Sequence, residues 1–173
     1  MMLRLAEDRD VPAVAALMNR AFRGVGGVSG WNSEADYIDG DRTSPDMLRQ
    51  DLSEHAEAAL LVADDGAGRI VGSVMLEPLL GGLWQLGSLA IDPAIQNQGT
   101  GRNLLATAEQ WAQDAGALTI RMKVVNVRDT LIAWYNRRGY VVTERVEPFP
   151  YGDDRFGTPR RQDLSFVVLE KKL

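Results

Sequence analysis

Six consecutive residues, Gln96-Asn97-Gln98-Gly99-Thr100-Gly101, have the makings of an anion cradle. They lie between an apolar run that ends at Ile91 and a stretch whose apolar period becomes helical from Gly99 onward. At such a junction the first-turn amides have no carbonyl four residues back, so they point outward and the helix dipole favours negative charge. Gly99 and Gly101 let a phosphate approach the backbone with no Cβ in the way. Taken alone, two glycines at a helix start read equally well as a simple turn. The loop lacks the lysine of a P-loop, and the strands before it read as antiparallel. Walker-type and Rossmann-type nucleotide sites therefore fail on context.

Downstream, Asn126 is followed by Ala133-Trp134-Tyr135-Asn136-Arg137-Arg138-Gly139-Tyr140. A phenol such as Tyr135 can donate a hydrogen bond or a proton to a departing anion. On helical pattern alone, the same residue reads as a tyrosine packed in the core.

The elements that must position these residues follow from periodicity. Leu3 to Ala6 reads as a first strand. A helix capped by Asp8 or Asp10, with Pro12 in its first turn, follows and carries Val11, Val14, Ala15, Met18, Ala21 and Phe22 on one stripe. Gly24, Gly26, Gly27 and Gly30 then open a loop. Short helical pieces are expected over Ser33–Ile38 and Ser44–Glu54. Ala58–Ala63, Ile70–Leu80 and Leu83–Ile91 read as an antiparallel meander that Asp92-Pro93 ends. A helix from Gly99 to Ala115, a strand from Leu118 to Val124 and a helix from Arg128 to Arg138 come next. Tyr140–Val146 and Leu164–Glu170 are closing strands, joined by a long segment rich in Pro, Gly, Asp and Arg. Connections of that length in a compact domain tend to be functional or disordered.

Composition narrows the classes. The 173 residues suit one domain spanning 1–173, and 45% hydrophobic with 25% charged residues is ordinary globular usage. There is no cysteine, so disulfides, thiolate metal sites and an acyl-cysteine intermediate are excluded. The net charge of −5 and the lack of any dense basic run argue against nucleic acid. That acidity would tolerate, and weakly attract, a cationic amine. With no signal-peptide pattern and no membrane-length apolar run, the expectation is a cytoplasmic protein with no membrane partner.

With both motifs in hand, the chain resembles the GCN5-related N-acetyltransferase (GNAT) superfamily over nearly its whole length. Leu89-Ala90-Ile91-Asp92-Pro93 with Gln96 to Gly101 is similar to the family's coenzyme A motif, Q/R-x-x-G-x-G/A after a strand. Asn126 and Ala133 to Tyr140 are similar to its N…A-x-x-x-Y-x-x-x-G-[FY] ending. The resemblance implies an α/β (α+β) fold, with a mixed, mostly antiparallel central sheet of about seven strands flanked by helices. It implies acetyl-CoA as co-substrate, no metal, and direct acetyl transfer to a primary amine of a small molecule, peptide or protein. It leaves room for a homodimer.

The resemblance also implies roles. Backbone groups of Leu89, Ala90 and Ile91 would bind pantetheine as an added strand does. Asn97 and the amides of Gln98, Gly99, Thr100, Gly101 and Arg102, with the Gln96 side chain nearby, would hold the pyrophosphate. The family often has Arg at the Gln96 position, a charge that Arg102 could replace in part. Asn126 would contact pantetheine or the acetyl region. With the Gly139-Tyr140 ending, Tyr135 becomes the leading candidate for the acid.

The general base stays open. Several branches use a Glu on the strand before the phosphate loop, where this chain has Gln85, so a histone-acetyltransferase reading is in doubt. Glu77 on the neighbouring strand is the candidate base. Ser88 acting through water, Glu34, Asp36 and an undedicated water chain are alternatives, whereas His55 reads as a surface histidine. Acceptor recognition is expected from two segments, 30–36 with Asp41-Arg42, and 149–156, with Trp31, Glu34 and Tyr151 foremost. Their mixture of aromatic and charged residues suits a small polar or zwitterionic ligand. The competing possibility is that Trp31, Phe149 and Phe156 merely pin loops to the core. A non-catalytic acyl-CoA-binding module of the same fold is the alternative function.

Overall fold

A computed structural model describes residues 2–24, 32–96 and 98–173. Trp31, Asn97 and the loop glycines 26, 27 and 30 lie outside the described residues, as does the side chain of Phe156. The strands are β1 (Met2–Leu5), β2 (Ile38–Asp39), β3 (Ala59–Asp64), β4 (Ile70–Pro78), β5 (Leu83–Ile91), β6 (Thr119–Val125), β7 (Val141–Pro148), β8 (Thr158–Pro159) and β9 (Ser165–Lys172). The α-helices are α1 (Val11–Arg23), α2 (Pro45–Glu54), α3 (Thr100–Asp114) and α4 (Asp129–Asn136).

Seven strands form one sheet in the order β1-β3-β4-β5-β6-β9-β7, and β2 pairs with β8 in a separate ribbon. Neighbours in the large sheet are antiparallel except β5 and β6, which run parallel. The expected mixed, mostly antiparallel sheet is therefore the one observed.

Both faces of the sheet are covered, and β3 shows how. Successive side chains of a strand point to opposite faces. Leu61 and Ala63 pack with Leu104, Leu105, Ala108 and Ala112 of α3 and Leu131 of α4. Leu60 and Val62 pack instead with Val14, Leu17, Met18 and Phe22 of α1 and Leu48 of α2. From Ala59 to Ala63 the strand is apolar because neither of its faces meets water there.

One expected element is absent. Ser33–Ile38 is not helical: the amides of Tyr37 and Ile38 both donate to Glu34 O, at 3.2 and 3.0 Å, making a single turn. The turn does not propagate because Ile38 and Asp39 pair with Pro159 and Thr158. Asp39 also receives both forks of the Arg160 guanidinium. Gly157 permits this ribbon: its φ is +103°, and a Cβ there would stand 2.5 Å from Asp39 O.

β7 forms a sheet edge, with Val141 and Val146 exposed. Its register with β9 breaks between Val142 and Val146, an irregularity that blunts an edge. No helix among the described residues is long and apolar enough to cross a membrane.

Candidate active site

The site begins with an interrupted pairing. β5 and β6 are in register only at Leu83–Thr119, Trp84–Ile120 and Gln85–Arg121. Beyond these pairs the two strands part. The cause lies on the other side of β5, where the register with β4 slips between Ser73 and Met75 so that two β5 residues oppose Val74. At this bulge Ser88 takes a φ of +51°, the one non-glycine residue in that region among the described residues. A bulge bends its strand, and this one turns the end of β5 away from β6.

The gap is a cavity of about 360 Å3, the larger of the two that α4 lines. Leu86 to Leu89 of β5 form one wall, Met122 to Val125 of β6 the other, with Leu131 and Tyr135 of α4 between them. Asp92 N–H donates to Val71 O at 2.9 Å, so the alternation of an antiparallel ladder turns the polar groups of Ile91 away from β4. The carbonyl of Leu89 accepts from Asn32 Nδ2 at 2.7 Å, and that of Ile91 from Gln96 Nε2 at 3.3 Å. Ala90 belongs to the opposite side: it pairs with Ser73 of β4, and its methyl group packs in the α1 cluster. Of the three β5 residues expected at the cofactor, Ala90 is thus not brought to the gap.

The smaller cavity, about 120 Å3, lies at the start of α3 and is lined by Ile91, Gln96, Gly99, Thr100, Gly101, Arg102, Trp134 and Arg138. Asp92 sets the approach to it, accepting from Ala94 N–H at 3.0 Å and from Arg20 Nη2 at 3.3 Å. Gly99 precedes the helix at φ +75°, ψ 1°, a left-handed conformation that a side chain would strain. The helical ladder starts with Asn103 N–H donating to Gly99 O at 3.0 Å, so the amides of Thr100, Gly101 and Arg102 face out of the helix end. Gln98 is exposed in the turn before the helix.

Arg138 was not among the expected site residues. Its guanidinium stacks on Trp134, 3.5 Å from the ring centre, and Nη1 donates to Trp134 O at 2.6 Å. Its Nε is buried without a hydrogen-bond partner. Burial lowers its pKa, and the nearby Arg137 and Arg102 lower it further. Its place in the motif, just before Gly139, was the available signal.

Tyr135 is 5% exposed and lies on the wall of the larger cavity. Trp134 and Tyr140 hold its ring by edge contacts at 5.0 and 5.6 Å. Its hydroxyl makes no hydrogen bond to any other described residue. Burial raises its pKa, against the opposing pull of Arg128 and Arg138. The group therefore stays a protonated phenol across the neutral range. Tyr140 donates to Glu109 Oε1 at 2.8 Å, tying the end of α4 to α3.

Three expected residues have structural duties instead. The Asn126 amide bridges to β9, donating to Asp163 O at 3.0 Å and accepting from Ser165 N–H at 3.1 Å, and lines neither cavity. Glu77 is ion-paired with His55 at 2.6 Å, away from both cavities, and Gln85 opposite it lines neither. Tyr151 donates to Arg161 O at 2.7 Å and accepts from Leu164 N–H at 2.9 Å, which makes it a loop clamp.

The two segments expected to recognise the acceptor do converge, because β2 and β8 join them. Asn32, Glu34 and Arg42 from the first, with Phe149 and Pro150 from the second, line the larger cavity, and Ile38 of β2 joins them. Glu34 pairs with Arg23 at 3.1 Å and lies 4.0 Å from Arg128, which also donates to Asn32 Oδ1 at 2.8 Å. Arg42 lies over the Phe22 ring. Burial and the neighbouring Arg23 lower the Arg42 pKa, while Glu34 and Asp51 act in the opposite sense.

Comparison with known proteins bears on this arrangement. No curated protein matches the chain by sequence. Among solved structures, the ribosomal-protein-alanine N-acetyltransferase from Brucella melitensis aligns over 100% of both chains at 20% identity and a TM-score of 0.69. The PaiA N-acetyltransferase from Thermoplasma acidophilum, in complex with coenzyme A, aligns over 99% of this chain and 98% of its own at 17% identity and 0.67. A GNAT family acetyltransferase from Elizabethkingia anophelis with acetyl-CoA bound aligns over 72% and 83%, at 17% identity and 0.58. These likenesses are of fold. The model of the acetyltransferase (GNAT) family matches residues 16–140, most of the chain. The chain belongs to the acetyltransferase (GNAT) family.

Proposed function

We propose that the protein is an acetyl-CoA-dependent N-acetyltransferase that passes the acetyl group directly to a primary amine. The observation that carries this reading is the continuity of two cavity walls around α4. One cavity ends on the amides of α3, the other opens between β5 and β6, and Tyr135 and Trp134 of one helix line the two. The residues suit coenzyme A. The buried Arg138 Nε without a partner is a donor awaiting an acceptor, beside outward amides and Arg102. The parted strands offer an apolar slot with strand-like polar groups for a pantetheine chain.

Acetyl-CoA supplies an activated thioester. Within the cavity, the bulge and the capped carbonyls of Leu89 and Ile91 fix the β5 wall against which it would lie. Tyr135, kept protonated by burial, gives its proton to the departing sulfur. The acceptor must lose its own proton first, since an alkylammonium has a pKa near ~10.4. Glu34, the one carboxylate lining the cavity among the described residues, is held by Arg23. Proton removal is therefore assigned to water, with Ser88 at the wall.

A non-catalytic acyl-CoA-binding module is the second reading, favoured by Glu77 being tied to His55. Thiol release from acetyl-CoA across an amine panel separates the two. Turnover with any amine supports the enzyme, and tight coenzyme A binding without turnover supports the module.

A further inference from the structure

The larger cavity differs in charge from the molecule around it. The chain as a whole carries −5. Yet the ionisable side chains lining the acceptor end are Arg23, Arg42, Lys123 and Arg128 against Glu34 alone, besides the phenol of Tyr135. Lys123 is offset by Glu147 at 2.8 Å, which leaves three guanidinia facing one lining carboxylate, with Asp51 of α2 acting on Arg42 from outside the cavity. Residues 25–31 carry no ionisable side chain, so the excess does not depend on them. The Arg23 and Arg128 side chains are only 9% and 8% exposed. Solvent and salt therefore screen their field weakly.

This charge lies across the cavity from the donor apparatus. Arg23 ends α1 and Arg42 follows β2, whereas the amides of α3 and Arg138 surround the other cavity. Arg128 begins α4 and acts electrostatically on Tyr135, so the cationic end and the reacting end adjoin. A planar guanidinium is well shaped to hold a carboxylate or another oxyanion through paired N–H groups.

We infer that the acceptor is an amine that also bears a carboxylate or similar oxyanion, held by Arg42 and Arg128 while the nitrogen faces Tyr135. This rests on the acetyltransferase reading. In the transfer, the ammonium first gives one proton to water; the nitrogen–carbon bond then forms as the carbon–sulfur bond breaks, the sulfur takes a proton from Tyr135, and the second nitrogen proton returns through water to the Tyr135 oxygen. The oxyanion is a handle and is unchanged.

The test measures thiol release from acetyl-CoA with paired acceptors, each a short amino acid and its carboxamide. The acid is expected to exceed its amide in kcat/KM by about 10- to 100-fold, the range of a charged hydrogen-bonded contact. Arg42→Gln should shrink that preference to within about threefold, and Arg42→Lys should recover part of it. A measurement needing no variant is inhibition of the wild type by the N-acetylated acid, expected to exceed that by its amide. Equal rates for acid and amide would overturn the inference and leave the acetyltransferase reading standing. So would faster turnover of succinyl-CoA than acetyl-CoA with neutral amines, because the positive end would then serve the acyl group. No release with any amine would overturn both.

Discussion

The cavity at the start of α3 takes most of its polar lining from one short stretch of backbone, with two arginines beside it. The larger cavity takes its polar lining from side chains at the end of α1, on both sides of β2, on β5 and β6, and at and within α4, while the β7–β8 connection adds the apolar Phe149 and Pro150. The first is preorganised by helix geometry, since outward amides come with any helix start. The second depends on the β2–β8 ribbon to bring distant residues together. A family can therefore keep the donor end constant while the acceptor end changes freely.

Substitutions should break the two halves separately. Gly99→Glu places a carboxylate at the helix start and a side chain at φ +75°, and should raise the coenzyme A Kd by at least ~100-fold in calorimetry. Tyr135→Phe removes the proton donor and keeps the ring contacts. It should lower kcat by about 100-fold with the coenzyme A Kd within about twofold, and an unchanged kcat would remove Tyr135 from the acid role. Arg138→Gln should weaken coenzyme A by about 10-fold while sparing the acceptor KM. Gly157→Val should do the reverse. Its side chain meets Asp39 O and Ile38, so the ribbon shifts and the acceptor KM rises about fivefold with donor binding intact.

The smallest effect lies outside both cavities. Asp10 accepts two hydrogen bonds from Arg4, at 2.6 and 3.0 Å, and one from Glu7 N–H, at 2.8 Å. Arg4 above all holds its pKa down to about 2. The folded value lies below the unfolded value near ~3.9, so this pair stabilises the fold above ~pH 4. Its contribution is lost as pH falls through 2. Because Arg4 is 35% exposed, the effect is about 1 kcal/mol, to be read from the acid limb of denaturation of Asp10→Asn against wild type.

The same contrast explains what could be read from the sequence. β5 was legible to the residue, and α1 showed its buried stripe apart from Leu17, because both patterns are local. Gly99 and Tyr135 were legible through compact motifs. The insertion of β9 between β6 and β7 was not, since periodicity identifies a strand but not its neighbours. That Asn126, Glu77 and Tyr151 line neither of these cavities was hidden for a related reason: their bonding partners are distant residues that no spacing reveals. Net charge says least about the cavity. It describes the whole surface, while the acceptor end is set by three arginines whose juxtaposition is tertiary.

The position of β9 has a consequence for how the chain comes to be folded. Until residues 165–172 leave the ribosome, β6 presents an unpaired edge, and β7 has no neighbour in the sheet. Phe166, which stacks on Phe149 at 5.6 Å, is part of the cavity lining, so that lining is complete only once β9 is in place. Such late, long-range pairing slows folding and leaves a nascent intermediate prone to edge-to-edge association. Ligands that fill the cavity would select chains in which β9 is paired over those in which it is not.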